Sequence, residues 1–374
     1  MMLKEVCSIK MGQSPASDSY NDNGEGVPFF QGNADFGERY PVARKWCSAP
    51  MKMAEPEDIL ISVRAPIGAL NYAKEECCIG RGLAALTPNK SKILPEYMFW
   101  LLKGKNAELN SKGTGSTFKA IGRKVLEEIL VPDIGMEQQM EYAVNLEKIN
   151  GIIQLRKQEL QKLDDLIKSR FVEMFGTVKE NPYNFPTATL KEVCHKITDG
   201  KHGGCEQEAN SGYYYIGARE IYDGAIHYDT APQITYADFT KDYRRCNIEQ
   251  GDMVIVNTGA TIGKSAIAVS SLTERTLLQK SVALLKVKTD MVSAEFLRYC
   301  YMANPSMYMV KSASAQPNLL LSKMNATVIY LPPLELQEQF AAFVAQTDKS
   351  KAAIQKSLEE TQLLFDSLMQ KYFG

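Results

Sequence analysis

Leu3-Lys4-Glu5-Val6-Cys7 recurs letter for letter as Leu190-Lys191-Glu192-Val193-Cys194, in a chain of 374 residues. Self-similarity at a long fixed offset reports a fold built twice, so the extent of the repeat decides the architecture. The echoes continue in order. Phe29-Phe30-Gln31-Gly32 answers Tyr214-Tyr215-Ile216-Gly217, and Asp58-Ile59-Leu60-Ile61 answers Asp252-Met253-Val254-Ile255. Both of the latter run into loops ending Ile67-Gly68 and Ile262-Gly263. Leu83 to Leu86 matches Val282 to Leu285, and Glu96-Tyr97 matches Glu295-Phe296. Each copy closes on a proline and a glutamine segment: Val131-Pro132 to Gln138-Gln139, and Leu331-Pro332-Pro333 to Gln337-Glu338-Gln339.

Within each copy the pattern changes once. Short apolar runs between Gly, Pro, Asn and Ser clusters come first and read as strands, with Ile59 to Val63 and Met253 to Val256 fully buried. Residues 95–104 and 293–303 read as short helices packed on that sheet. A long helix follows each proline. The first carries Leu146, Ile149, Ile153, Leu160, Leu163, Ile167 and Met174 at alternating 3/4 spacing, interrupted by Arg156 and Arg170. The second carries Phe340, Val344, Ile354, Leu358, Phe365, Leu368 and Tyr372, with Thr347, Lys351 and Thr361 completing the seam. Such heptad seams require a partner, and the two copies supply each other. At about 36–40 residues each helix spans roughly 55–60 Å. The expected fold is mixed α/β: two similar globular domains, 1–135 and 181–334, on a pair of long antiparallel helices, 136–180 and 335–374, with an internal pseudo-two-fold repeat.

Composition narrows the class. Hydrophobic residues make up 45% and charged residues 23%, a globular balance, and no run approaches a membrane span. Met1 to Met11 has no signal-peptide core, so a cytoplasmic protein is expected. Eight scattered cysteines, no pair at C-x-x-C spacing, read as reduced thiols. The net charge of −1 means that DNA affinity would need Lys and Arg gathered on one face, or help from a partner.

Several segments imitate catalytic signatures. Gly259-Ala260-Thr261-Ile262-Gly263-Lys264-Ser265 has three residues between its glycines where a phosphate-binding loop needs four, and a strand follows it. It reads as a turn whose Lys264 suits a DNA phosphate. Cys194, His195, His202 and Cys205 have zinc-ligand chemistry but no zinc-module spacing. His227 stands alone, so no nucleophilic triad can be assembled. Asn181-Pro182-Tyr183 lacks the second proline of an amino-methyltransferase loop, and Pro132-Asp133 lacks the downstream Glu-x-Lys of a nuclease. No catalytic, cofactor-binding or metal-binding residue is assigned.

Polar, basic and aromatic loops remain, and both copies have them. Arg39, Arg44, Lys45 and Arg64 stand in the first; Arg219, Arg244, Arg245, Asn257 and Thr258 stand in the second. Two matching Ser/Thr/Gln/Asn-rich loops contribute Lys112, Thr114, Ser116 and Lys119, and Lys311, Ser314, Gln316 and Asn318. These side chains suit phosphate and base-edge contacts, with Arg64 and Arg245 as the expected base readers.

Taken in order, these features resemble the specificity subunits of type I restriction–modification systems, over essentially the whole length. The doubled Leu-Lys-Glu-Val-Cys opening, the Asp58-to-Gly68 and Asp252-to-Gly263 units, the Ser/Gln loops and the Pro-to-Gln closures carry the resemblance. It implies a non-catalytic subunit whose two target-recognition domains each read one half of a split, asymmetric double-stranded DNA site. The helices would set the spacer and dock methyltransferase subunits, two copies being expected. S-adenosylmethionine, ATP and Mg would belong to those and to the restriction/translocase subunits. Met1 stands almost at the first strand, and cyclic equivalence of the copies leads one to expect a complete helix pair. An assembly scaffold with two protein-binding heads is the alternative of a different class.

Overall fold

A computed structural model describes residues 1–115, 119–177, 180–304, 307 and 319–374. The chain folds as two compact units, Met1–Lys157 with Gln355–Gly374, and Gln158–Ile354. Each long helix is therefore shared between them.

The first unit is built on an antiparallel four-stranded sheet. Its strands lie in the order Cys7–Met11, Leu83–Pro88, Ile59–Ser62, Leu70–Tyr72. Ile59 to Ser62 is buried throughout because both faces of the sheet are covered, which is why Ile59 to Ile61 is continuously apolar rather than alternating. Ile59 and Ile61 join Leu3, Tyr97, Trp100, Leu101 and Leu146 on the helical side. Leu60, Leu83 and Ala85 face the other way, toward Phe30, Ala54 and Ile79 of a second sheet of five short strands. In that sheet Val27–Phe30 pairs in parallel with Cys77–Ile79.

The second unit repeats this plan. Its four-stranded sheet runs Cys194–Asp199, Val282–Val287, Met253–Val256, Ser265–Ile267. Met253, Ile255, Ala283 and Leu285 pack toward the helices; Val254, Val256, Val282 and Leu284 pack toward Ile216 and Ile248. Tyr214–Ile216 pairs in parallel with Thr276–Leu278, as its counterpart does.

The Pro-to-Gln closures have one physical cause. Gln139 is buried; its Oε1 accepts from the Leu94 amide at 2.9 Å, and its Nε2 donates to Lys92 and Ile134 carbonyls. Gln337 does the same with the Ser293 amide and the Met291 and Pro332 carbonyls. Each glutamine ties the start of a long helix to the loop before the short helix.

Both long helices have 40 residues, Met136–Phe175 and Leu334–Phe373. Ala143, Leu146 and Ile153 share the first core with Phe365 and Phe373. Ile167, Phe171 and Phe175 share the second with Phe340 and Val344. The start of one helix thus meets the end of the other, and the pair is antiparallel. The expected seam holds through Ile167 and then shifts: Phe171 and Phe175 are fully buried, while Arg170 and Met174 are half-buried. An unsupercoiled helix drifts about 20° per heptad, enough to turn the next residue inward.

All eight cysteines are free thiols. Cys194 sits in the second core, its thiol pushed up to about 12 by burial. No helix among the described residues is long and apolar enough to cross a membrane.

Candidate nucleic-acid interface

In the first unit the pairings Met11↔Ala84, Ile61↔Ala84 and Ile61↔Leu70 bring several loops to one end of the sheet. The Val63 amide donates to Gly82 O and the Val63 carbonyl accepts from Ile121, both at 2.9 Å. Ala65 N donates to Lys119 O at 3.1 Å, and Thr114 and Ala120 exchange two backbone bonds. Arg64, Thr114 and Lys119 are therefore neighbours, and all three are exposed. Their loop is braced from behind. Asn106 and Asn110 amides both donate to Ile67 O, and Ser62 Oγ donates to Pro66 O at 2.6 Å. Gly68 closes it at φ +86°, where a side chain would be strained and would collide with Asn106.

The remaining candidates of this unit fall elsewhere. Lys112 is ion-paired with Glu108 at 2.6 Å. Arg39 lies beside Tyr72, two residues along its strand from Leu70 and so toward the other end of the sheet. Its guanidinium stands 5.1 Å from the Tyr72 ring centre and pairs with Glu147 at 3.3 Å. A shallow cleft of about 280 Å³ there is lined by Arg39, Lys90, Glu57 and Glu96, charges of both signs. Arg44 and Lys45 are exposed ahead of the strand Trp46–Cys47, with Lys45 O accepting from Phe29 N.

The second unit gathers the equivalent set. Asn257 N donates to Ser281 O at 3.0 Å and Leu319 N to Asn257 O at 2.7 Å, reproducing the Gly82–Val63–Ile121 chain of bonds. Asn257 is 4% exposed and accepts from the Thr258 hydroxyl, so it shapes the loop rather than projecting from it. Gly259 to Lys264 is the turn of an antiparallel hairpin, with Lys264 exposed at its exit. No helix follows to aim amides at a nucleotide phosphate, as a phosphate-binding loop requires.

Arg245 reaches the same end of the sheet but is engaged. Its guanidinium pairs with Asp199, and its Nε donates to Asp199 O at 3.0 Å. Burial would raise the Asp199 carboxyl; Arg245 and His202, the latter at 3.1 Å, outweigh it and hold it below the usual carboxylate range. Arg244 is exposed, its carbonyl accepting from Lys196. Arg219 is exposed beside buried Glu220, whose carboxylate accepts from Gly217 N at 2.9 Å. Ser116, Lys311, Ser314, Gln316 and Asn318 lie outside the described residues.

Two cations at this end escaped the sequence reading, Arg81 and Lys280. Each stands two residues before a matched strand, Leu83 or Val282, so the repeat carried the signal.

The model for the type I restriction modification DNA specificity domain matches residues 1–165 and again 182–362. The putative type I restriction enzyme MjaX specificity subunit of Methanocaldococcus jannaschii is 44% identical over 42% of this chain, a match spanning 37% of that relative. The type I restriction enzyme MjaIX specificity subunit of the same organism is 21% identical over 99% of this chain and 91% of its own. The solved S subunit of a type I restriction–modification system from M. genitalium superposes with a TM-score of 0.61 at 15% identity, over 100% of this chain and 95% of that one. With its sheets, closures and helices doubled as the two matched segments are, the chain belongs to the type I restriction–modification DNA specificity family.

Proposed function

We propose that the chain reads a split double-stranded DNA site for a modification complex, each unit reading one half through the loops at the end of its four-stranded sheet. The observation that carries this is the doubled loop cluster. Arg64 in one unit and Thr258 in the other follow Val63 and Asn257, which matching backbone bonds hold at the same sheet end; Thr114 and Lys119 lie beside the first and Lys264 near the second. Cations there meet phosphates and steer the protein onto the duplex, while amides and hydroxyls suit base edges.

The long helices set the spacer and dock methyltransferase subunits. Their outward faces support this: Met140, Val144, Ile152 and Leu155 of the central helix are 52%, 38%, 42% and 60% exposed, and Leu363 of the C-terminal helix is 70% exposed. A surface-exposed apolar stripe of this kind marks an interaction face. The chain is non-catalytic in this reading. S-adenosylmethionine, ATP and Mg belong to the methyltransferase and restriction/translocase subunits, and the complex works in the cytoplasm.

Exchange of residues 1–130 for the corresponding segment of another family member tests the reading. Sequencing of methylated sites in cells that supply the methyltransferase subunits should show one half of the site changed and the other kept. Change or loss of both halves contradicts independent reading by the two units.

A further inference from the structure

We infer that Arg81 and Lys280 are a matched pair of phosphate anchors, one per unit, which hold the duplex without reading its sequence. The inference rests on the proposed DNA reading and adds to it residues and a role.

Both side chains stand at the middle of a three-residue turn, Gly80-Arg81-Gly82 and Gln279-Lys280-Ser281, joining the parallel-paired strand to the four-stranded sheet. The frames share the bonds at both ends of the turn, while the amides of the two cations differ: Arg81 N donates to Ser14 Oγ and Lys280 N to Lys201 O. Gly80 N donates to Phe30 O and Gln279 N to Ile216 O, each at 2.8 Å. Leu83 N donates to Gly80 O at 3.0 Å and Val282 N to Gln279 O at 2.9 Å. A glycine presses on each turn from the first strand: a Cβ on Gly12 would collide with Gly80 O, and one on Gly200 with Leu278 and Gln279 carbonyls. The turn is thus locked, and the residue at its tip cannot be re-aimed by its flanks.

Its flanking residues differ between the copies, and only positive charge is common. Both cations are exposed, and among the described residues neither has an acidic partner within ion-pair distance, whereas Lys112, Lys201, Arg245 and Lys286 do. Gly82 and Ser281 bond directly to Val63 and Asn257, which places the cations at the edge of each loop cluster. A charge kept while the neighbouring loops diverge fits a contact to the part of DNA that does not vary, the phosphate.

The test uses the full chain with its methyltransferase subunits and duplexes carrying the sequence that the wild-type complex methylates. Arg81→Ala and Lys280→Ala should each weaken binding evenly across single-base variants of the site. Each should flatten the slope of log affinity against log salt by about 0.9. Arg81→Lys and Lys280→Arg should restore the slope, which a merely structural role would not predict. An unchanged slope in both alanine variants overturns the inference while wild-type recognition stands. So does loss of preference confined to one base pair, which would make the residue a base reader. Absence of any sequence preference in the wild-type complex would instead remove the DNA reading itself, and this inference with it.

Discussion

Gln139 shows how much of the closure one buried amide supplies. Three backbone groups, on Leu94, Lys92 and Ile134, depend on it, and water cannot replace it at 1% exposure. Gln139→Ala should therefore cost about 1–3 kcal/mol in denaturant unfolding of the first unit, since orphaned buried groups carry their full desolvation penalty. A cost within measurement error would mean that the glutamine is dispensable. The Pro-to-Gln spacing was legible in the sequence; its cause was not, because Leu94 and Lys92 lie 45 and 47 positions upstream. The same limit governs the arginines. Arg245, expected to read bases, is claimed by Asp199, and Arg39 by Glu147, partners that spacing along the chain cannot reveal. Arg64 and Lys119 meet because their two loops pair through backbone bonds, Ala65 N to Lys119 O and Ile121 N to Val63 O.

At the scale of elements, periodicity served the helices well up to the point where 3.5 and 3.6 part company. The C-terminal seam holds from Phe340 to Tyr372, with its polar members buried or half-buried. Lys351 pairs with Asp164 at 2.6 Å across the helices, a polar contact suited to fixing register. Both side chains are partly exposed, so its contribution to stability is small. Gly151 is different. It lies inside the central helix with nothing within 4 Å of where a Cβ would stand. No packing explains it, and glycine costs a helix interior up to about 1 kcal/mol relative to alanine. Gly151→Ala should raise stability by about 0.5–1 kcal/mol in chemical denaturation. Destabilisation would show that the helix needs a backbone freedom which its described geometry does not display. Strands were legible where they are continuously apolar, as Ile59 to Ile61 is. The short pairs Tyr20–Asn21 and Trp46–Cys47 were not, since two residues give no period.

At the scale of the molecule, the internal repeat was the most legible feature of all. Both four-stranded sheets have one strand order, both closures one glutamine, and both loop clusters the same pair of backbone bonds at Val63 and Asn257. What a repeat cannot reveal is which neighbours diverge for a purpose, and that is where the candidate site lies. The central claim, that two heads read two half-sites at a spacing set by the helix pair, can be tested where both helices pass from one unit to the other. That passage lies at Lys157–Gln158 and Ile354–Gln355. Four residues added to each helix there leave the contacts within each unit untouched and lengthen the pair by about 6 Å. This is close to two base pairs of rise at about 3.4 Å each. Sequencing of methylated sites in cells carrying the double insertion is the direct measurement. The half-sites should be unchanged and the spacer longer by about one to two base pairs; an unchanged spacer would show that the helix pair does not set it.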